Sequence, residues 1–275
     1  MTVPFRDSPK MQYEASVRMS SFSVGTGVEI SRELAQETPV ALVFNGTTTA
    51  VMMASPSDIQ DFAYGFALTE GFISDPDEIV DFEQVAHEAG IEARYWLKDD
   101  ASEKLGRRRR ASMGPVGCGL CGIDSLEQAV RNIAPVSGIR LQIDAADIAS
   151  ATDQLRDHQE LHDRTRSAHA AGFLVPGKGI VVAREDIGRH NAVDKLLGAL
   201  IRNDTDPGQG AVVVTSRVSV ELIQKTAALG CSMLIAVSAP TAFAVKLAQQ
   251  SGMTLVANAR RADCEVFTHA HRIRK

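Results

Sequence analysis

The chain has no excess of positive charge, no stretch patterned like a leader and no long apolar run. Its 275 residues carry 29 Lys and Arg against 34 Asp and Glu, a net charge of −5, which argues against a general nucleic-acid binder. Residues 1–10 are polar and contain two prolines, so no charged start leads into the apolar stretch that a secretory leader needs. No apolar segment is long enough to span a bilayer. The expectation is a cytoplasmic protein in a reducing compartment, binding neither membrane nor nucleic acid. Cysteine is scarce, with four in all, but two of the four lie close together. In a reducing compartment such a pair points to catalysis or metal binding rather than a structural disulfide.

That pair sits in Gly117-Cys118-Gly119-Leu120-Cys121-Gly122. The flanking glycines remove side-chain cover and permit unusual backbone angles, so the thiols are expected to be reachable on a mobile loop. Asp124 and Glu127 have the spacing of a capping box, which predicts a helix over about 124–134. The positive end of that helix would lower the pKa of Cys121 and favour its thiolate. Cys231 and Cys264 fall in apolar runs and read as inert, buried thiols.

Upstream, residues 1–15 read as a flexible tail and 16–100 as a β-rich lobe with one helix. Thr38–Phe44 and Thr47–Met53 flank Asn45-Gly46, a strong hairpin signal. Ser57 and Gln60 predict the start of a helix carrying Phe62, Phe66 and Leu68 and ending near Gly71. Residues 101–122 have the composition of a long loop, with Arg107 to Arg110 adjoining the Cys pair. Such a run could steer an anionic ligand or an acidic partner. From 123 to 275 the pattern changes to strands alternating with helices, including one predicted helix from Asp144 to Thr165. Near-continuous β-branched strands between helices indicate an α/β core with a sheet covered on both faces.

The Cys pair admits several chemistries. Structural zinc needs two more ligands, and His158 with His162 offer an H-x₃-H pair, though far outside the usual spacing. A thioredoxin-type dithiol normally follows a strand, whereas here a basic loop precedes the pair. Haem attachment is excluded because Gly122, not His, follows Cys121. A persulfide carrier needs an exposed, low-pKa Cys on a movable segment, and this loop fits that requirement.

A second constellation, Arg184-Glu185-Asp186-Ile187-Gly188-Arg189-His190-Asn191, lies between a predicted strand and a helix. Ligands of open α/β sheets bind at such strand ends, and helix N-terminal amides favour phosphate. Thr215-Ser216-Arg217, Ser238-Ala239-Pro240-Thr241 and Asn258-Ala259-Arg260-Arg261 close three further strands. Hydroxyls and guanidiniums gathered at one sheet edge suggest an anionic ligand with a polar head. His169, beside the start of a strand, reads as a proton carrier or as a satisfied core histidine.

Together these segments resemble the FdhD family, the formate dehydrogenase accessory sulfurtransferases. The resemblance rests on Gly117–Gly122, Arg184–Lys195, Arg217–Lys225, Ser238–Thr241 and Val266–His269, with Glu37–Val40 and Phe66–Gly71 resembling the family's opening segments. It implies a cytidine-deaminase-like three-layer α/β core with a smaller N-terminal β-rich lobe, and a homodimer. It also implies a carrier that takes sulfur from a cysteine desulfurase and passes it to the molybdenum cofactor, in its bis(molybdopterin guanine dinucleotide) form, for formate dehydrogenase. In the family the first Cys of the pair is taken as the carrier. That maps to Cys118, with Cys121 assisting, although the helix-end effect favours Cys121. The family's cofactor segment maps to Asn258, Ala259, Arg260, Arg261, Ala262 and Asp263. The strand-end residues Arg189, His190, Asn191, Arg217, Ser238 and Thr241 complete the expected binding set. The chain departs from the family pattern at Thr165-Arg166-Ser167-Ala168, at Ser216 and at Arg261-Ala262, where glycines are usual. Two competing readings are a cofactor chaperone that moves no sulfur and a zinc-dependent deaminase-like hydrolase. The hydrolase lacks a His/Cys-x-Glu segment ahead of the pair.

Overall fold

A computed structural model describes residues 13–98, 133, 135–136, 141–260 and 263–274. The Cys118–Cys121 pair, the Arg107–Arg110 run, the helix expected at 124–134, and Arg261 and Ala262 lie outside the described residues.

The core is built on a six-stranded sheet in the order β13-β12-β11-β10-β8-β9. Its strands are β8 (His169–Val175), β9 (Gly179–Asp186), β10 (Ala211–Val214), β11 (Met233–Ala236), β12 (Thr254–Arg260) and β13 (Asp263–Thr268). β10, β11 and β12 run parallel, while β8 and β13 are antiparallel to their neighbours. Alternation along the strands sends side chains to two separate apolar clusters. Val212 and Val214 face one way and Ala211 and Val213 the other. The first face is covered by α4 (Arg189–Arg202), α5 (Val220–Ala228) and α6 (Ala242–Ser251). The second is covered by α2 (Ala145–Arg156), through Ile148, Ala151 and Leu155. The layering is therefore helix, sheet, helix, as the sequence pattern and the resemblance both implied. The helix expected to run from Asp144 to Thr165 is instead α2 and a short α3 (Glu160–Thr165), broken at 157–159.

The N-terminal region contributes a four-stranded sheet in the order β4-β3-β6-β5. Its members are β3 (Thr38–Phe44), β4 (Thr47–Ala54), β5 (Ile79–His87) and β6 (Gly90–Leu97), with α1 (Ile59–Thr69) covering one face. Asn45 and Gly46 take positive φ at the β3–β4 turn, as the dipeptide predicts. The α1 N-cap is Asp58, in a left-handed conformation with no side-chain cap, so the Ser57–Gln60 capping box does not form. Ahead of this sheet, β1 (Ser16–Ser23) and β2 (Val28–Ala35) make a separate two-stranded hairpin. A final pairing joins β7 (Ile143–Asp144) and β14 (Ile273–Arg274) in parallel. Among the described residues no helix is long and apolar enough to cross a membrane.

Helices α1 and α4 join the two sheets. They cross so closely that a Cβ on Gly65 would lie 1.8 Å from the Asp194 carbonyl oxygen. Charged side chains flank the crossing. The Asp61 carboxylate accepts from Arg184 Nε at 2.7 Å and from Arg202.

Candidate functional site

The sheet topology itself gathers the candidate residues. β9, β10, β11 and β12 share one direction, so their C-terminal ends lie along one edge, beside the start of the opposed β8. Each of α4, α5 and α6 returns along the sheet from a strand that ends there, so all three present their N-termini at the same edge. Their unpaired N–H groups and dipoles make that edge electropositive.

The loops at this edge are held by hydrogen bonds to main-chain groups. Thr215 Oγ1 accepts from the Ala170 N–H at 3.0 Å, seating the loop after β10 against the start of β8. Val218 N–H donates to Ala239 O at 3.2 Å and Thr241 N–H donates to Val218 O at 2.9 Å, which couples the loops after β10 and β11. Thr241 caps α6, its Oγ1 accepting from Ala244 N–H at 3.2 Å. Asn258 N–H reaches Ser238 O at 3.4 Å, and Arg260 Nε donates to Val237 O at 3.1 Å.

Asn258 to Arg260 was expected to follow its strand, but β12 runs through it with a bulge. Asn258 adopts φ of 52°, a left-handed conformation that Asn tolerates better than most residues. Ala259 is buried against the α2 face, so its contribution to a ligand can be only main-chain. Arg217, Arg260 and Thr241 are exposed, and Ser238 and Asn258 are half-buried. Asp263 opens β13 and pairs in register with Arg260.

The block at 184–191 is placed differently from its sequence reading. Arg184, Glu185 and Asp186 belong to β9, and Arg189, His190 and Asn191 form the first turn of α4. Arg189 and His190 are half-buried at the edge. Asn191 turns inward and is buried, donating to Met53 O at 2.9 Å and to Asp186 Oδ1 at 3.0 Å. Beneath that turn Asp186 and Lys195, both wholly buried, form an ion pair of 2.7 Å. The same carboxylate accepts from Ser55 N–H at 2.9 Å and Gly188 N–H at 2.8 Å, and Lys195 also donates to Ser55 O at 2.9 Å. This network fixes the α4 N-terminus to the end of β4. No spacing in the sequence marked Ser55 as its partner, which lies 131 residues from Asp186.

A second buried group stands behind the edge. Lys225 of α5 donates to both oxygens of Asp194 at 2.9 Å, to Thr69 Oγ1 at 2.9 Å and to Glu70 at 3.1 Å. Burial opposes the Lys225 charge, but Asp194 and Glu70 outweigh it and hold the ammonium above its usual pKa. The His190 imidazole is pushed down to about 4, chiefly by burial and then by Arg189 and Lys225. It is therefore neutral at pH 7, with Nε2 lying 3.9 Å from Glu221 Oε2. His169, at the start of β8, is also lowered, by burial first and then by Arg189 and His162. Glu221 is a neighbour of the site that sequence reasoning missed. It lies inside the Arg217–Lys225 block, but nothing in its spacing singled it out.

The remaining candidates are elsewhere. His162 Nδ1 bonds Ala168 O at 2.9 Å, which engages it locally. Among the described residues no group of three His, Cys, Asp or Glu side chains is placed to hold a metal ion. Cys231 is buried, its thiol raised by burial to about 11, consistent with an inert core residue. Cys264 is only half-buried on β13, more open than expected, and its thiol is raised by burial and by Asp263.

This edge thus combines three helix N-termini, exposed guanidiniums, hydroxyls and neutral imidazoles, a set suited to a large anionic ligand with polar ends. Comparison with known proteins covers most of the described fold. The FdhD/NarQ family model matches residues 35–274. The chain is 48% identical over 263 residues to the sulfur carrier protein FdhD of Agrobacterium fabrum, covering 94% of this chain and 97% of that one. It is 44% identical over 243 residues to the protein of the same name from Bordetella bronchiseptica, covering 88% of each. Among solved structures, one described as a formate dehydrogenase accessory protein from Desulfotalea psychrophila superimposes with a TM-score of 0.74. It is 25% identical and covers 95% of this chain and 100% of its own.

Proposed function

The chain belongs to the FdhD/NarQ family, and on that premise we propose that it is a sulfur carrier acting in the maturation of formate dehydrogenase. The observation that carries this reading is near-full-length similarity to relatives named sulfur carrier protein FdhD. The paired thiols in Gly117–Gly122 supply a group capable of carrying sulfur.

In the proposed reaction the Cys118 thiolate attacks the outer sulfur of a persulfide on a cysteine desulfurase. The donor S–S bond breaks, its thiolate leaves, and Cys118 becomes a persulfide. Attack by the Cys121 thiolate on the inner Cys118 sulfur then expels hydrosulfide and leaves a Cys118–Cys121 disulfide, so the electrons balance. The acceptor is the molybdenum cofactor in its bis(molybdopterin guanine dinucleotide) form, a substrate rather than a resident group. Its phosphates suit the N-termini of α4, α5 and α6 together with Arg189, Arg217 and Arg260. His190, Ser238, Thr241, Asn258, main-chain groups of Ala259, and Asp263 would complete its surroundings, with Arg261 and Ala262 in the adjoining segment and Asn191 holding the α4 turn from behind. The protein would act in the cytoplasm as a homodimer, with cysteine desulfurase and formate dehydrogenase as partners.

Mass spectrometry after incubation with a cysteine desulfurase and cysteine tests the sulfur step. One added sulfur atom is expected on Cys118, removable by dithiothreitol, lost in Cys118→Ala and retained in Cys121→Ala. The opposite pattern assigns the carrier to Cys121. Full maturation of formate dehydrogenase by the double Ala variant would overturn sulfur transfer altogether.

A further inference from the structure

Among the described residues the β1–β2 hairpin has little to hold it in place. None of residues 16–35 belongs to any of the three apolar clusters, and both of its edges are unpaired among the described strands. Its base is tied to α3 through Arg164 and Glu33 at 2.9 Å, with Ser16 Oγ donating to Glu33 at 2.5 Å. An isolated two-stranded hairpin is marginal in water unless something packs on it. Six of the fourteen large apolar side chains exposed among the described residues nevertheless lie between Val17 and Leu34.

Cross-strand register sorts these side chains by face. Val17 opposes Leu34, Met19 opposes Arg32, Ser21 opposes Ile30 and Ser23 opposes Val28. One face is therefore an apolar stripe whose single charge is Arg32. A counterpart occurs on the four-stranded sheet. α1 covers the face bearing Val40, Leu42, Ala93 and Tyr95, and among the described residues no helix lies on the opposite face. That face exposes Val51 and Met53 of β4 and Trp96 of β6. Its charged groups are Asp81, Glu83, Glu92 and Arg94, with His87 3.4 Å from Glu92; Arg94 pairs with Glu92 at 2.6 Å and Glu83 at 3.2 Å, and the carboxylates outnumber the one guanidinium.

We propose that the β1–β2 hairpin is an arm that docks on the face opposite α1 of the four-stranded sheet of a second copy of this chain, Arg32 meeting the acidic cluster of Asp81, Glu83 and Glu92. The inference deepens the homodimer component of the proposed function and rests on it. A second copy is the occupant because each chain carries both complementary surfaces, so a two-fold exchange satisfies both twice and closes. Reciprocity also doubles the contact, to a total of about 1,000 Å² over both chains, the low end for a specific interface. One arm face of eight-residue strands is roughly 26 Å by 10 Å in outline, short of the ~800 Å² per partner of a stable interface. Exchange adds a second such contact to each chain.

Sedimentation velocity on the full chain reads the outcome as mass. The wild type is expected at twice the chain mass. Met19→Glu with Val28→Glu in the arm, or Val51→Glu with Met53→Glu on the sheet, should each halve it, with unchanged circular dichroism because all four side chains are exposed. An equimolar mixture of the two variants should shift only partly back toward the dimer mass, since one of the two contacts is then restored. A dimer that persists in the arm variant overturns the docking while leaving the homodimer intact. A monomeric wild type overturns both. Loss of dimer in the arm variant alone, with the sheet variant unaffected, assigns the arm to a different surface and overturns the pairing proposed.

Discussion

Gly65 of α1 and Gly198 of α4 meet across a helix crossing that leaves room for no side chain on either. A Cβ on Gly65 would lie 1.8 Å from Asp194 O, and one on Gly198 would lie 1.8 Å from Asp61 O. The obstacles are backbone atoms, which cannot rotate aside. Gly65→Ala or Gly198→Ala should therefore push the helices apart and cost about 3 kcal/mol or more, above the usual gain in helix propensity. Urea denaturation measures this, and a variant as stable as the wild type would show that the helices are not so close.

The Asp186–Lys195 pair predicts a different kind of loss. Both side chains are wholly buried, so Lys195→Met strands a carboxylate without water or counter-ion. Removing one partner of such a pair typically costs about 3–5 kcal/mol. Pairing it with Asp186→Asn should recover part of that loss, because the neutral amide needs no cation. An additive double variant would contradict direct coupling.

The His190 imidazole yields a pH prediction with a definite sign. Its folded pKa is depressed from 6.5 to about 4, so between those values the unfolded chain binds the extra proton. The stability tied to neutral His190 is complete above about 6.5 and is lost as pH falls toward 4. The stability advantage of wild type over His190→Asn should therefore shrink across that window in parallel denaturation series. An advantage that grows toward acid pH would mean the imidazole is held charged.

Cys231 should be silent to thiol reagents in the folded protein. Its thiol is fully buried and raised to about 11, so little thiolate forms near neutrality. In a Cys118→Ala, Cys121→Ala variant, a colorimetric thiol assay at pH 8 should find Cys231 only after denaturant is added. Prompt reaction of two thiols in the native state would refute its burial.

The parts of the fold legible in the sequence were those governed by short-range rules. The β3–β4 hairpin was visible because Asn45-Gly46 alone supplies the left-handed turn, and α6 because Ala242–Ser251 lies between Thr241 and Gly252, a cap and a stop. Helix boundaries governed by longer contacts were not. α4 begins three residues earlier than the apolar pattern suggested, since Asn191 is anchored to Met53 rather than left in a loop. The break between α2 and α3 follows from contacts made elsewhere, with Glu185 accepting from the Leu161 and His162 N–H groups at 2.6 and 2.8 Å. The β1–β2 hairpin has no turn dipeptide of the usual kind, so no local signal marks it.

By itself the sequence determined the layered α/β class, the strand-end positions of Arg217, Ser238 and Thr241, and the presence of a close thiol pair. Periodicity and turn chemistry act over a few residues and can be read without a fold. The tertiary structure alone decided which strand ends share an edge, because strand direction and order depend on pairings between residues distant in the chain. It alone decided that Asn191 faces inward, that Lys225 joins Asp194 to Glu70, and that Gly65 and Gly198 let two helices touch. Those relations arise only when burial removes water and leaves each polar group to find its partner within the protein.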